Sequence, residues 1–397
     1  MDLNINNKQT YFETINKTKA DIYQTKFDEI ESMGLLGMYL MMSANLSTFI
    51  PGLKDENHYK TIQDIQLHRS LSAIDQYYFH LLDELKVTDN SNILKNCHKE
   101  GHIFVTYHTG SYRLFIQKLN QENIPFCLVT EGNYIKEQGS ETHKLFKELN
   151  NNTRDLEILP AENPRLIFEL IKRLKQGKSI VFYIDGNKGA TDKNLNENKN
   201  LLKINFLNNH IYARQGIAFL SYLSKAPLAT AITKRDQDLN NYISIKPVNT
   251  KSLIEKNTRN DFINIVTKKL YSELEVLLNK HPEQWEGWFY IDKFFQQENT
   301  VTEEAEHVTS FKPNKITTLA VNQFVHLIKH SEDKMFLVSK KDYKIMKITD
   351  FLFNVLSYFK IPKTIDPGKI LKIGNNEVNW NVLEELVEMK FLKPITK

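Results

Sequence analysis

The sequence predicts an α/β protein: a mostly parallel sheet flanked by helices, with a helical region before it and a small C-terminal α+β domain after it. Three observations lead there. Residues 1–95 carry apolar side chains at helical spacing. From His102 onward short apolar runs alternate with amphipathic segments, the rhythm of parallel strands joined by crossover helices. A polar, acidic stretch from Gln296 to Asn314 then has no apolar period, and short strand patterns followed by short helical ones begin beyond it.

Taken in order, Thr10 to Met33 and Thr61 to Leu85 read as helices, the second with Ile62, Ile65, Leu67, Leu71, Ile74 and Tyr78 on its apolar positions. Between them Gly34 to Ile50 is apolar and uncharged but too short to span a membrane. It reads as a buried helix or as one facing an acyl chain. Pro51-Gly52 is a turn signal. Strands are predicted at Ile103–Tyr107, Phe126–Thr130, Leu156–Leu159, Ser179–Ile184, Leu228–Thr233 and Tyr242–Pro247. Helices are predicted at Ser111–Asn120, Glu141–Leu149, around Ala213–Ser224 and over Arg259–Asn279. One more is marked by Asn163 as N-cap, Pro164 at the first helical position and Gly177 just past its end. Gly186 to Lys203, rich in Asn and Lys, reads as a mobile surface loop. In the C-terminal part, strands are predicted at Gln323–Lys329, Lys334–Val338 and Asp342–Ile348, and helices near Thr349–Phe359, Asp366–Leu371 and Trp380–Met389. The domains expected are residues 1–300, a linker at 301–314 and residues 315–397.

Hydrophobic residues make up 41% and charged residues 25% of the 397, enough to bury a core. A formal net charge of +4 gives no case for nucleic acid. Cys97 and Cys127 have no CxxC spacing, which fits a reducing compartment. The first ten residues contain no apolar segment, so no secretory signal is expected and a cytoplasmic location is. GxGxxG, GxxxxGK[ST] and GxSxG are all missing, which disfavours dinucleotide, P-loop and serine-hydrolase readings. His102, His143, His210 and His281 lack metal-ligand spacing, so neither a metal nor a bound cofactor is expected.

Ionisable residues gather where three strands end. His108 follows Ile103–Tyr107, Glu131 follows Phe126–Thr130, and Asp185 follows Ser179–Ile184. If the strands are parallel, all three lie on one carboxyl edge, where open α/β sheets keep their ligands. An imidazole there can act as a base, and a carboxylate can fix its tautomer. The alternative for Glu131 and Asp185 is turn capping. Gly110 turns the chain between His108 and the next helix. Arg113 begins that helix, and Arg214 with Gly216 begins the helix after the polar loop. Each arginine can bind a phosphate or a developing oxyanion, or form a structural ion pair.

The order YHTGSYR, IVFYIDGNKG, ARQGIAFLSYLSKAPLATAI and His281-Pro-Glu-Gln-Trp285 with Trp288 resembles the lysophospholipid acyltransferase-like superfamily, in particular the late acyltransferases of lipid A biosynthesis, over about residues 100–295. The resemblance implies transfer of a fatty acyl group from a coenzyme A or acyl carrier protein thioester to a hydroxyl or amine. It also implies that His108 is the base and that the protein contacts the membrane peripherally, at its inner face. The family's His-x4-Asp/Glu motif has Arg113 at the acid position here. A guanidinium has no acceptor for the imidazole N–H, so Glu131, Asp185 or a backbone carbonyl would have to replace it, or the fold serves as a non-catalytic binding scaffold. After HPEQW the family's basic residues are reduced to Lys293, beside Asp292. Residues 315–397 resemble the winged-helix-type recognition element of ribosomal-peptide maturation enzymes. That implies a peptide bound by strand addition and, for the whole chain, lipopeptide maturation. A structural domain and a DNA-reading winged helix are the alternatives. Lys340, Lys341, Lys344 and Lys347 do not share one helix face, which fits DNA poorly. Without a peptide, the acceptor would be a lysolipid or glycolipid.

Overall fold

A computed structural model describes residues 7–151, 153–186, 195, 198–295 and 315–395. It divides into two compact units. The first comprises Met1–Gln24 and Lys60–Phe295, and the second Thr25–Tyr59 and Gln296–Lys397.

The first unit is the α/β part, and its architecture agrees with the expected fold class. Strands β1 (Lys86–Thr88), β2 (Ile103–Thr106), β3 (Phe126–Thr130), β4 (Glu157–Pro160), β5 (Ser179–Tyr183), β6 (Leu201–Phe206), β7 (Asn209–Arg214), β8 (Leu228–Arg235) and β9 (Asn241–Val248) follow in chain order. Seven of them form one sheet in the order β1-β9-β8-β2-β5-β3-β4, while β6 and β7 pair as a separate hairpin. Only β8 and β9 run antiparallel within the large sheet. The central strand β2, Ile-Phe-Val-Thr, is buried at every position. Continuous apolar runs of this kind mark strands covered on both faces. Phe104 packs there with Phe115, Leu119, Leu128, Val181, Ala229 and Ile245. The helix Arg259–Leu278 buries Phe262, Val266, Leu270, Tyr271 and Leu274.

Several boundaries differ from the sequence expectation for local reasons. The helix expected to run to Leu85 stops at Asp75, and Lys86–Thr88 instead joins the sheet edge beside β9. Asn163 does not cap its helix directly; its side chain accepts the Arg165 N–H at 2.9 Å, and the helix starts at Leu166. Of the expected polar loop, residues 201–203 belong to β6; positions 187–194, 196 and 197 lie outside the described residues. So does the expected linker, 301–314.

The second unit groups Thr25–Tyr59 with the C-terminal part, contrary to the expected single domain over 1–300. The reason is the apolar helix Met33–Phe49, which buries Leu36, Tyr39, Leu40, Met42, Leu46 and Phe49. It packs on the second and third C-terminal strands, so it is a core helix of this unit. Among the described residues no helix is long and apolar enough to cross a membrane. The C-terminal strands are β10 (Thr317–Val321), β11 (Val325–Ser331), β12 (Lys334–Ser339), β13 (Ile345–Ile348), β14 (Lys363–Ile365), β15 (Leu371–Ile373), β16 (Asn376–Val378) and β17 (Leu392–Ile395). They form three small antiparallel sheets, β14-β10-β17, β11-β12-β13 and β15-β16. Helices Asp350–Tyr358 and Trp380–Glu388 pack on them through Val355, Leu356, Leu383 and Leu386. The helix expected over Asp366–Leu371 is absent. The Asp366 side chain accepts the Gly368 N–H at 3.0 Å, and the turn it makes leads into the β15–β16 hairpin.

Candidate active site

The carboxyl end of β2 leads directly into the candidate site. Thr106 ends the strand, Tyr107 is buried, and His108 follows with its side chain 20% exposed. Next to it, β5 ends at Tyr183 and Asp185 lies two residues on, 4% exposed. Parallel pairing of Thr106 with Tyr183 sets the two strand ends side by side. His108 Nδ1 and Asp185 Oδ1 are 2.8 Å apart, and the His108 backbone N–H donates to Asp185 Oδ2 at 2.9 Å. A carboxylate oxygen accepts this bond, so Nδ1 carries a proton, and in the neutral ring Nε2 keeps its lone pair.

Asp185 is itself held. The Trp285 indole N–H donates to its Oδ2 at 2.7 Å, which assigns a role to the tryptophan of the HPEQW stretch that sequence reasoning left without one. Trp285 folds back over Gly287, where a Cβ would lie 2.1 Å from the indole, so only glycine admits this ring position. Gln284 fastens the same segment to the sheet: its Oε1 accepts the Arg235 N–H at 2.6 Å and its Nε2 donates to the Arg235 carbonyl at 2.7 Å. The Glu286 N–H donates to the His108 carbonyl at 2.9 Å, and the Gly110 N–H donates to the Gln284 carbonyl, also at 2.9 Å.

Two aromatic rings flank the imidazole, Tyr112 at 4.7 Å and Tyr183 at 5.0 Å between centroids. Burial by itself would push the His108 pKa down. The charge and hydrogen bond of Asp185 outweigh it, Glu286 adds to them, Arg113 opposes them, and the net direction is upward from the ordinary histidine value.

A second buried set lies behind this one. Asp75 and Arg235, both almost fully buried, pair at 3.0 Å. Asp75 also accepts the Tyr11 hydroxyl at 3.0 Å, the Asn241 amide at 3.1 Å and the Ser111 hydroxyl. Ser111 sits in the turn between His108 and the helix Arg113–Gln121, so the pair anchors that turn from below. No local motif marked Asp75 or Arg235, because they are brought together from distant parts of the chain.

The remaining sequence candidates fall as follows. Arg113 opens its helix, stacks on Tyr112 at 4.5 Å and donates to Ser72 Oγ at 3.3 Å; Asp185, from another strand, holds the imidazole in its stead. Glu131 is the N-cap residue of the helix Gly132–Leu149, with extended backbone, and the second carboxylate acting on His108 is Glu286. Gly110 has φ +49° and lies so close to β8 that a Cβ would be 2.8 Å from Lys234 Cα. Its N–H is taken by Gln284, so its part is steric; it is not a free anion donor. Arg214 ends β7 with an exposed side chain, and Gly216 starts the helix Gly216–Ser224. A shallow depression of about 660 Å³, lined by Ser140, His143, Lys144, Lys147, Glu148 and Asp155, does not include His108.

Protein-family models and curated proteins were both compared with this chain, and neither comparison found a match.

Proposed function

We propose that the protein is an acyltransferase that moves a fatty acyl group from a coenzyme A or acyl carrier protein thioester to a hydroxyl or amine. The observation that supports this most is the His108–Asp185 pair at 2.8 Å, with the acid fixed by Trp285 and the ring fixed by the acid. His108 Nε2 takes the proton of the acceptor as its oxygen or nitrogen attacks the thioester carbonyl carbon. The tetrahedral intermediate collapses, the C–S bond breaks, and the leaving thiolate takes the proton back from the imidazolium. Asp185 stabilises that cation while it exists. Arg113, beside the ring, would face the oxyanion or a phosphate of the donor. The resident chemistry needs no metal and no bound cofactor; the thioester is a substrate.

A ribosomally made peptide is the acceptor we favour over a lysolipid or glycolipid. Strand β13 is the edge of its sheet and is exposed along most of its length, which suits addition of a peptide strand. Peripheral contact with the inner face of a membrane belongs to the same reading. The test is incubation of the full chain with acyl thioesters and candidate acceptors, read by intact mass. Acyl transfer that disappears in His108→Ala supports the proposal; an unchanged rate in that variant sinks it.

A further inference from the structure

The second unit holds a cluster of ligand-type side chains that the proposed acyl transfer does not use. Asp55 and His58 are three apart at the start of the helix Asp55–Asp75, and His326 lies on β11. One ligand atom from each lies within 4.8 Å of the other two. We propose that Asp55, His58 and His326, with the Ser43 hydroxyl, form a binding site for a divalent cation of the zinc class.

Geometry carries the argument. Ser43 Oγ is 2.8 Å from His58 Nδ1 and 2.8 Å from His326 Nε2, so both imidazoles face one hydroxyl; with Ser43 donating to His58, the His326 Nε2–H donates to Ser43, and an incoming cation would displace that proton. His58 directs its other nitrogen, Nε2, at the Leu53 carbonyl at 3.2 Å. A ring N–H given to a backbone carbonyl fixes the tautomer and aims the opposite lone pair inward, which is how metal-binding histidines are commonly oriented. A tetrahedral zinc with bonds of about 2.0–2.1 Å sets its ligand atoms roughly 3.3 Å apart. The present separations therefore require movements on the order of 1 Å, within reach of side-chain rotation at Asp55 and Ser43. Two imidazoles with one carboxylate suit zinc better than calcium or magnesium, which prefer oxygen ligands.

The surroundings set the affinity. His58 and His326 are 2% and 4% exposed, so the site is shielded from bulk water. Lys360 holds Asp55 Oδ2 at 2.8 Å and leaves the other carboxylate oxygen for a cation. Lys340 also lies near, bonded to Ser47 Oγ at 3.4 Å. Both ammonium groups oppose an incoming divalent ion, so removing either charge is expected to raise its affinity. An ion there would fasten the start of the Asp55–Asp75 helix to β11.

The test uses the full-length chain, stripped with a chelator and titrated with Zn²⁺ and with Co²⁺ as a spectroscopic probe. The expected result is one tightly held ion per chain with the visible absorption of a four-coordinate Co²⁺ site. Asp55→Asn is expected to weaken binding at least tenfold, His326→Gln to abolish it, and Lys360→Met to tighten it severalfold. Failure of the wild-type chain to hold a stoichiometric ion overturns the proposal, as does wild-type affinity in both Asp55→Asn and His326→Gln. If His326→Gln does not fold, Asp55→Asn carries the decision, because Asp55 is exposed and circular dichroism will show whether that variant is native.

Discussion

Replacing Asp185 by asparagine is the sharpest perturbation of the site. Three donors face this carboxylate: the His108 backbone N–H at 2.9 Å, His108 Nδ1 at 2.8 Å and the Trp285 indole at 2.7 Å. The acid is 4% exposed, so water cannot take over its bonds. An asparagine keeps one acceptor oxygen and turns the other into a donor. At least one of the three N–H groups then meets an N–H, at a cost of about 1–3 kcal/mol for the buried donor left unpaired. The imidazole can escape by moving its proton to Nε2 and accepting from the new amide through Nδ1. That tautomer cannot act as base at Nε2. In serine-protease triads the matching change costs about 10⁴-fold in turnover, and the same order is expected here. The assay is acyl transfer by intact mass across pH, paired with urea denaturation. A variant that retains its rate within about threefold, with wild-type stability, would refute the assignment of Asp185 as the group that positions the base; the scale is that of the triad comparison.

Three further outcomes follow from the same geometry. Asp75→Asn strips the buried Arg235 of its counter-charge and should cost about 3–5 kcal/mol in a urea melt. Gly110→Ala forces a side chain into a left-handed backbone at φ +49°, against the backbone of Lys234; a loss of roughly 2 kcal/mol or more, seen as a lower thermal midpoint, is expected. The raised His108 pKa gives a signed pH effect. The stabilisation from its protonated form is fully present below the unfolded value near 6.5 and is lost as pH rises through the folded value. Wild type should therefore lose stability relative to His108→Gln over that window. Over the same window kcat/KM should rise as the base becomes neutral.

The sheet and its carboxyl edge were legible because they rest on local pattern. The runs Ile103–Thr106 and Ser179–Tyr183 are mostly apolar, and an ionisable residue, His108 or Asp185, follows two positions past each strand end. Parallel pairing then sets His108 and Asp185 side by side with no further information. What supports them was not legible. Trp285 reaches Asp185, and Arg235 reaches Asp75, across 100 and 160 positions of chain, and neither contact leaves a periodic trace. The placement of Thr25–Tyr59 with the C-terminal part was hidden for a related reason. An apolar helix announces that it will be buried without saying by which part of the chain. Asp55, His58 and His326 leave no spacing signal, because His326 lies on a strand of the C-terminal part, far along the chain from the other two.

Gln284 gives the site a support that is blind to acidity. Its amide offers one donor and one acceptor to the Arg235 main chain, as a neighbouring strand would, so a single side chain finishes the sheet where the backbone has already turned away. Glutamate lacks the donor, asparagine lacks the reach, and the amide has no proton to gain or lose near neutral pH. The mount that carries Trp285 thus stays neutral while the imidazole–carboxylate pair beside it changes charge. A proton can come and go at His108 without loosening the bracket that aims it.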